Sequence, residues 1–131
     1  MRFLLDTHIW LWSLLEPSRL GRKTRAAMVN PKSELWLSPI SVWETLILAE
    51  KGRIELSPTP TQWIAKALEA SPLRQATLTH EVALESRRLG LSHQDPADRF
   101  LVATAVVYDL KLVTSDERLL NLGQIPVVAN S

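Results

Sequence analysis

Residues 95–116 read DPADRFLVATAVVYDLKLVTSD, and this stretch divides into two elements. Asp95 before Pro96 pairs an N-cap with a proline at the first helical position, so a helix is expected through ADRFLVATAVVYD (97–109). Almost every residue of that helix is apolar, which predicts burial on most sides. KLVT (111–114) then reads as a short strand closing at Ser115 and Asp116. A buried helix feeding a buried strand is the unit of an α/β sheet, whose parallel neighbours need crossovers of about a dozen residues or more.

The same alternation runs through the rest of the chain. RFLL (2–5) is an apolar strand, and Ile9–Leu15 a helix ended by the Glu16-Pro17 step. A helix follows over Arg22–Val29. ELWL (34–37) is the next strand and leads into SPISVWETLILAEKG (38–52), a helical pattern with Gly52 as its stop. Ser57-Pro58-Thr59-Pro60 is a rigid connector before a helix over Thr61–Ala70. Ala76–Leu78 is read as a third strand. Thr79 caps a helix running to Leu89 and ended by Gly90, residues 91–94 form a loop, and IPVVA (125–129) is the last strand, after a short helix. The expectation is an α/β domain spanning 1–131, a three-layer sandwich with a mainly parallel sheet of about five strands. In such sheets ligands bind beyond the carboxyl ends of the strands.

Composition narrows the functional classes. In 131 residues, 46% hydrophobic and 22% charged content argues against a disordered or fibrous chain, and a net charge of +1 supplies no global field to draw in a polyanion. Nucleic-acid binding would have to come from local patches. With no cysteine there is no disulfide framework and no thiolate chemistry, which suits a cytoplasmic location. The histidines are His8, His80 and His93, none at an H-x-x-x-H spacing, so zinc is disfavoured. The longest nearly apolar stretch, Phe100–Tyr108, is far below the roughly 18 to 20 residues that span a bilayer, so no membrane association is expected. Asp6 and His8 interrupt the start of any signal-peptide core.

Four acids stand where chemistry is expected. Asp6 closes the first strand and Asp116 the fourth, so both would point to one edge of the sheet. Glu44 shares a helix face with Ile40, Ile47 and Leu48, and Asp98 one with Leu101, Val102 and Ala105. Each has a plain alternative at a helix end. Asp6 can cap the helix after it, Glu44 completes a capping box with Ser41, Asp98 sits in the first turn of a helix capped by Asp95, and Asp116 sits in a first turn. Capping does not, however, require all four in one small domain. If they converge, two carboxylates at about 4 Å repel by roughly 4 kcal/mol at an effective dielectric of 20, so protons or a divalent cation must neutralise the group. Oxygen ligands alone favour Mg²⁺ or Mn²⁺.

Taken in order, LLDTHIWLW (4–12), SPISVWETLILAEKGRI (38–54), HQDPADRFLVATA (93–105) and LVTSD (112–116) resemble the PIN-domain nucleases, specifically VapC-type toxins of type II toxin-antitoxin systems. The resemblance implies a sheet ordered 3-2-1-4-5, which makes the strands ending at Asp6 and Asp116 neighbours. It implies that Asp6, Glu44, Asp98 and Asp116 are the catalytic and metal-binding acids of an endoribonuclease, with Asp95 as a cap or a contact through water. It further implies a homodimer that cuts RNA by metal-activated water and is held in check by a cognate antitoxin. The alternative is a catalytically silent PIN-like module that binds RNA or protein.

Supporting roles follow from position. Thr7, Thr114 and Ser115 border the acids and could orient a carboxylate or a metal water, with helix capping the competing reading for Thr7 and Ser115. Arg99, read as exposed beside Asp98, is a candidate RNA contact, as are Arg22 and Lys23. Arg25, Lys51, Arg53, Arg87 and Arg88 are further patch residues, solvated by default. His8 and His93 are read as structural. Trp36, Trp43 and Trp63 are assigned to core or subunit packing, and of Trp10 and Trp12 at least one is expected at the surface.

Overall fold

Strands with apolar residues on both sides need a layer of helices on each face, and that requirement organises the molecule. The computed structural model describes residues 1–90, 95–123 and 125–131. Its elements are β1 (Arg2–Leu5), α1 (Thr7–Leu15), α2 (Arg22–Val29), β2 (Glu34–Leu37), α3 (Pro39–Glu50), α4 (Pro60–Ala70), β3 (Arg74–Gln75), α5 (His80–Arg88), α6 (Pro96–Tyr108), β4 (Lys111–Thr114), α7 (Glu117–Leu120) and β5 (Val127–Ala129). All four strand pairs are parallel, in the order β3-β2-β1-β4-β5. This is the order the resemblance implied, with β1 and β4 side by side at the centre.

Alternation along the central strands builds two cores. Phe3, Leu5 and Val113 point into a cluster with Ile9, Trp10, Leu11 and Ile64. Leu4 and Leu112 point the other way, into a cluster with Leu101, Val102, Ala105 and Leu119. Helix α6 is buried along most of its length, as its composition predicts. It ends at Asp109, whose left-handed conformation (φ 54°) lets Leu110 N donate back to Ala105 O at 2.8 Å, so β4 starts two residues later.

Boundaries set by local capping chemistry match the sequence expectations closely. Asp95 Oδ1 accepts from Asp98 N (3.2 Å), and Thr79 Oγ1 accepts from Val82 N (3.2 Å). Other boundaries differ, and β5 starts at Val127 rather than Ile125. Helix α1 begins at Thr7 because Asp6 is its cap, and the third strand is Arg74–Gln75 rather than Ala76–Leu78. That strand is short and polar, held by pairing with Trp36 and Leu37, while Ala76 turns its side chain fully into the core. The loop 91–94 and His93 lie outside the described residues.

One glycine is required by close approach. Gly21 precedes α2, and a Cβ there would stand 1.9 Å from the carbonyl carbon of Ser131. The room left by its missing side chain lets Thr24 N donate to Ser131 O at 3.0 Å while Ser131 N donates to Thr24 Oγ1 at 3.2 Å, so the end of the chain after β5 closes the first turn of α2.

Candidate active site

Asp6 and Asp116 lie one and two residues past the C-terminal ends of adjacent strands, and one hydroxyl links them. Thr114 Oγ1 donates to Asp6 Oδ2 at 2.6 Å and accepts from Asp116 N at 3.0 Å. Asp6 Oδ1 also accepts from Thr7 N at 2.8 Å, and Asp116 Oδ1 from Arg118 N at 2.9 Å, so both acids do cap the helices they precede. Capping and convergence are therefore not alternatives for these two. Each uses part of its oxygen set on a backbone amide and keeps the rest at the sheet edge.

Glu44 has no capping role, which removes the alternative reading given for it above. Ser38 caps α3 by accepting from Ile40 N at 3.0 Å, so Ser41 and Glu44 lie beyond the cap. Ser41 is fully buried, and Thr7 Oγ1 lies 2.9 Å from its hydroxyl and 2.6 Å from Glu44 Oε1. Thr7 has one hydroxyl proton, so the shorter bond to the carboxylate takes it and Ser41 supplies the other donor. Thr7, named as a supporting residue, thus orients Glu44 with its side chain and Asp6 with its backbone. Thr114 uses its hydroxyl for both contacts, with the Asp6 carboxylate and with the Asp116 amide. Ser115 is exposed, and Asp95, also exposed, serves as the cap of α6.

Charge joins the group. Burial is the first cause pushing the Asp6 carboxyl above the usual aspartate range, and Asp116 adds to it, against hydrogen bonds from Thr114 and Thr7 and the nearby His8. Burial likewise pushes Glu44 up, with the charges of Asp6, Asp98 and Asp95 adding to it and Thr7 opposing. Asp98 is 8% exposed in the first turn of α6. The structure therefore brings all four acids, with Asp95 beside them, into one electrostatic neighbourhood. Among the described residues no three acidic or histidine side chains are turned together tightly enough to grip one ion. Each carboxylate is turned instead toward its own hydroxyl, amide or guanidinium partner.

That guanidinium belongs to Arg118, a residue that sequence reasoning misses. Its Nη2 lies 3.0 Å from Asp116 Oδ2 and 3.9 Å from Asp98 Oδ2. The signal available is Asp116-x-Arg118, two residues apart at the start of α7. Arg99 requires the opposite correction. It is 5% exposed, and its guanidinium donates to Ser86 O and Leu89 O, both at 3.0 Å, closing the last turn of α5. Helix ends leave carbonyls without intrahelical partners, and Arg99 is turned inward to these two, so it is not a surface contact for RNA. Arg22 and Lys23 are exposed on α2, and among the described residues neither pairs with the four acids. Trp10 is buried as part of the core, while Trp43 is 53% exposed, which removes it from the core of this chain.

The raised carboxyls set a pH dependence. A carboxyl whose folded pKa lies above its unfolded value binds more protons in the native state, so stability falls as pH rises from about 4 through the folded value and then levels. Asp6 and Glu44 therefore cost stability at neutral pH without a metal. Asp6→Asn keeps a capping oxygen, so in EDTA at pH 7 it is expected to melt higher than the parent, the gap closing as pH falls toward about 4. A lower melting temperature for the variant at pH 7 would contradict this.

A family model for the PIN domain matches residues 3–124. The chain is a PIN domain. This PIN domain is 37% identical over 117 residues to Ribonuclease VapC22 of Mycobacterium tuberculosis, with 88% of each chain covered, which makes it one of the VapC type. VapBC2 from Rickettsia felis, solved bound to a DNA fragment from its promoter, aligns over 100% of both chains with a TM-score of 0.73 and 15% identity. A toxin-antitoxin complex from Klebsiella pneumoniae aligns over 98% of both, with a TM-score of 0.68 and 20% identity. At those identities the likeness is one of fold.

Proposed function

We propose that this PIN domain is an endoribonuclease toxin of the VapC type, dependent on Mg²⁺ or Mn²⁺ and restrained by a cognate antitoxin. The observation that carries this reading is Glu44, a half-buried acid with no capping role, aimed by Thr7 at the sheet edge where Asp6, Asp98 and Asp116 also lie. The relative named a ribonuclease and the fold shared with toxin-antitoxin complexes support it. The donor set suits a hard dication, since it is all oxygen and its members repel one another. Asp6, Glu44, Asp98 and Asp116 would hold the ion. When bound, it supplies an activated water for attack on a phosphodiester and charge stabilisation for the leaving oxygen.

The chain's own contribution is orientation. Thr114 holds Asp6 and Asp116 in fixed relation, and Thr7 does so for Glu44 and Asp6, while the low exposure of Asp98 strengthens its charge interactions. A homodimer working on cytoplasmic RNA completes the reading. We expect cleavage of single-stranded RNA in Mg²⁺ or Mn²⁺ and none in EDTA; equal cleavage in EDTA would refute the metal mechanism, and no cleavage with either ion would favour the silent binding module. Thr114→Val should lower the rate or Mn²⁺ affinity by roughly 10- to 100-fold, as loss of a residue orienting a metal ligand typically does, with Thr114→Ser recovering most of it. A Thr114→Val enzyme with parental rate and affinity would remove the orienting role.

A further inference from the structure

Beside the acids, a cavity of about 370 Å³ is lined by Glu44, Thr7 and Asp95 together with Trp43, Lys51 and Arg53. Resting on the nuclease reading above, we propose that this groove is the subsite for the nucleotide flanking the scissile phosphate of single-stranded RNA, with the Trp43 indole stacking on its base and Lys51 and Arg53 holding the neighbouring phosphate. Four acids repel a polyanion, so a substrate strand reaching them needs cations close by. Among the described residues neither Lys51 nor Arg53 is engaged in an ion pair.

Backbone geometry places these cations. Glu44 and Lys51 are seven residues apart, two turns of helix and about 10 Å along its axis. Gly52, with φ of 71°, turns the chain just after α3, and Arg53 lines the same cavity as Lys51. Trp43, next to Glu44 and 53% exposed, presents a large flat apolar surface at the groove's rim. A stacking platform needs an unpaired base, which selects single-stranded over duplex RNA. The indole also borders an apolar patch formed with Ile40, Leu78 and Phe100, which a second copy of the chain could cover. The groove's mixed charge favours RNA, because the centres of protein interfaces are depleted of charged side chains.

The test is fluorescence anisotropy of a labelled single-stranded oligoribonucleotide of about 12 nucleotides, titrated with the full chain carrying Asp98→Asn in Mg²⁺. Adding Trp43→Ala should weaken binding by about 5- to 100-fold, and Trp43→Phe should restore most of it. Lys51→Ala with Arg53→Ala should weaken binding and reduce the slope of log Kd against log salt by about 1.4, near 0.7 for each phosphate no longer neutralised. Parental affinity in Trp43→Ala would overturn the subsite. So would a fall from dimer to monomer mass in that variant, which would give the indole to a second copy. If Trp43→Ala is silent while the unmodified chain still shows metal-dependent cleavage, the groove alone fails. If the Asp98→Asn chain binds no RNA and the unmodified chain cuts none, the nuclease reading fails with it.

Discussion

Asp98→Asn is expected to lower metal-dependent RNA cleavage by at least about 10²-fold, beyond the roughly 10- to 100-fold that loss of a residue supporting a metal ligand costs. The substitution is nearly isosteric and removes one negative charge. It leaves the helix start intact, because the amide of residue 98 still donates to Asp95 Oδ1. The loss therefore reports on the site and not on the fold. Asp6→Asn should have a similar effect, since its remaining oxygen can still cap α1. Acids that hold one ion act as a unit, so the double variant should be little worse than either single one. Initial rates on a labelled single-stranded RNA, with circular dichroism to confirm folding, check all three. Cleavage at the parental rate in either single variant would remove that acid from the machinery, and additive losses would argue against a shared ion.

Leu101→Ala is expected to cost about 2–5 kcal/mol, and to lower Tm by roughly 8–20 °C for a chain of this size. Leu101 has no exposed surface and sits where α6 meets Leu4 and Leu112 of the two central strands. The cavity left by its side chain lies between a helix and a sheet already covered on its other face, so neither can move far to fill it. Leu84→Ala is the control. Leu84 is 74% exposed on α5, and its loss should change stability by no more than about 0.5 kcal/mol. Similar Tm shifts in the two variants would mean that α6 does not carry the core.

Particular residues show where the sequence can be read. The boundaries of α6 and β4 are legible because their causes are neighbours in the chain: Asp95 and Pro96 at the start, an uninterrupted apolar run, and a polar stop at Ser115 and Asp116. Strand β3 is not, because two exposed polar residues carry no periodicity and are extended only through pairing with Trp36 and Leu37. Arg99 reads as exposed because it follows an acid in the first turn, yet the packing of α5 on α6 offers it the carbonyls of Ser86 and Leu89. The capping box that Ser41 and Glu44 offered as an alternative does not form because Ser38 stands three residues earlier in the role of cap.

By itself, the order of residues determined the α/β class, the caps of α5 and α6, the burial of the central strands and the presence of four acids with no obvious common structural need. These are effects of residues within a few positions of one another. Only the tertiary structure decided that Thr114 reaches Asp6 across 108 positions, that Thr7 rather than Ser41 governs Glu44, and that Arg118 stands among the acids. It also left Trp43 at the rim of a groove. The physical reason is that side-chain contacts of this range exist only once the parallel crossovers have closed, and no local propensity encodes which carboxylate will find which hydroxyl.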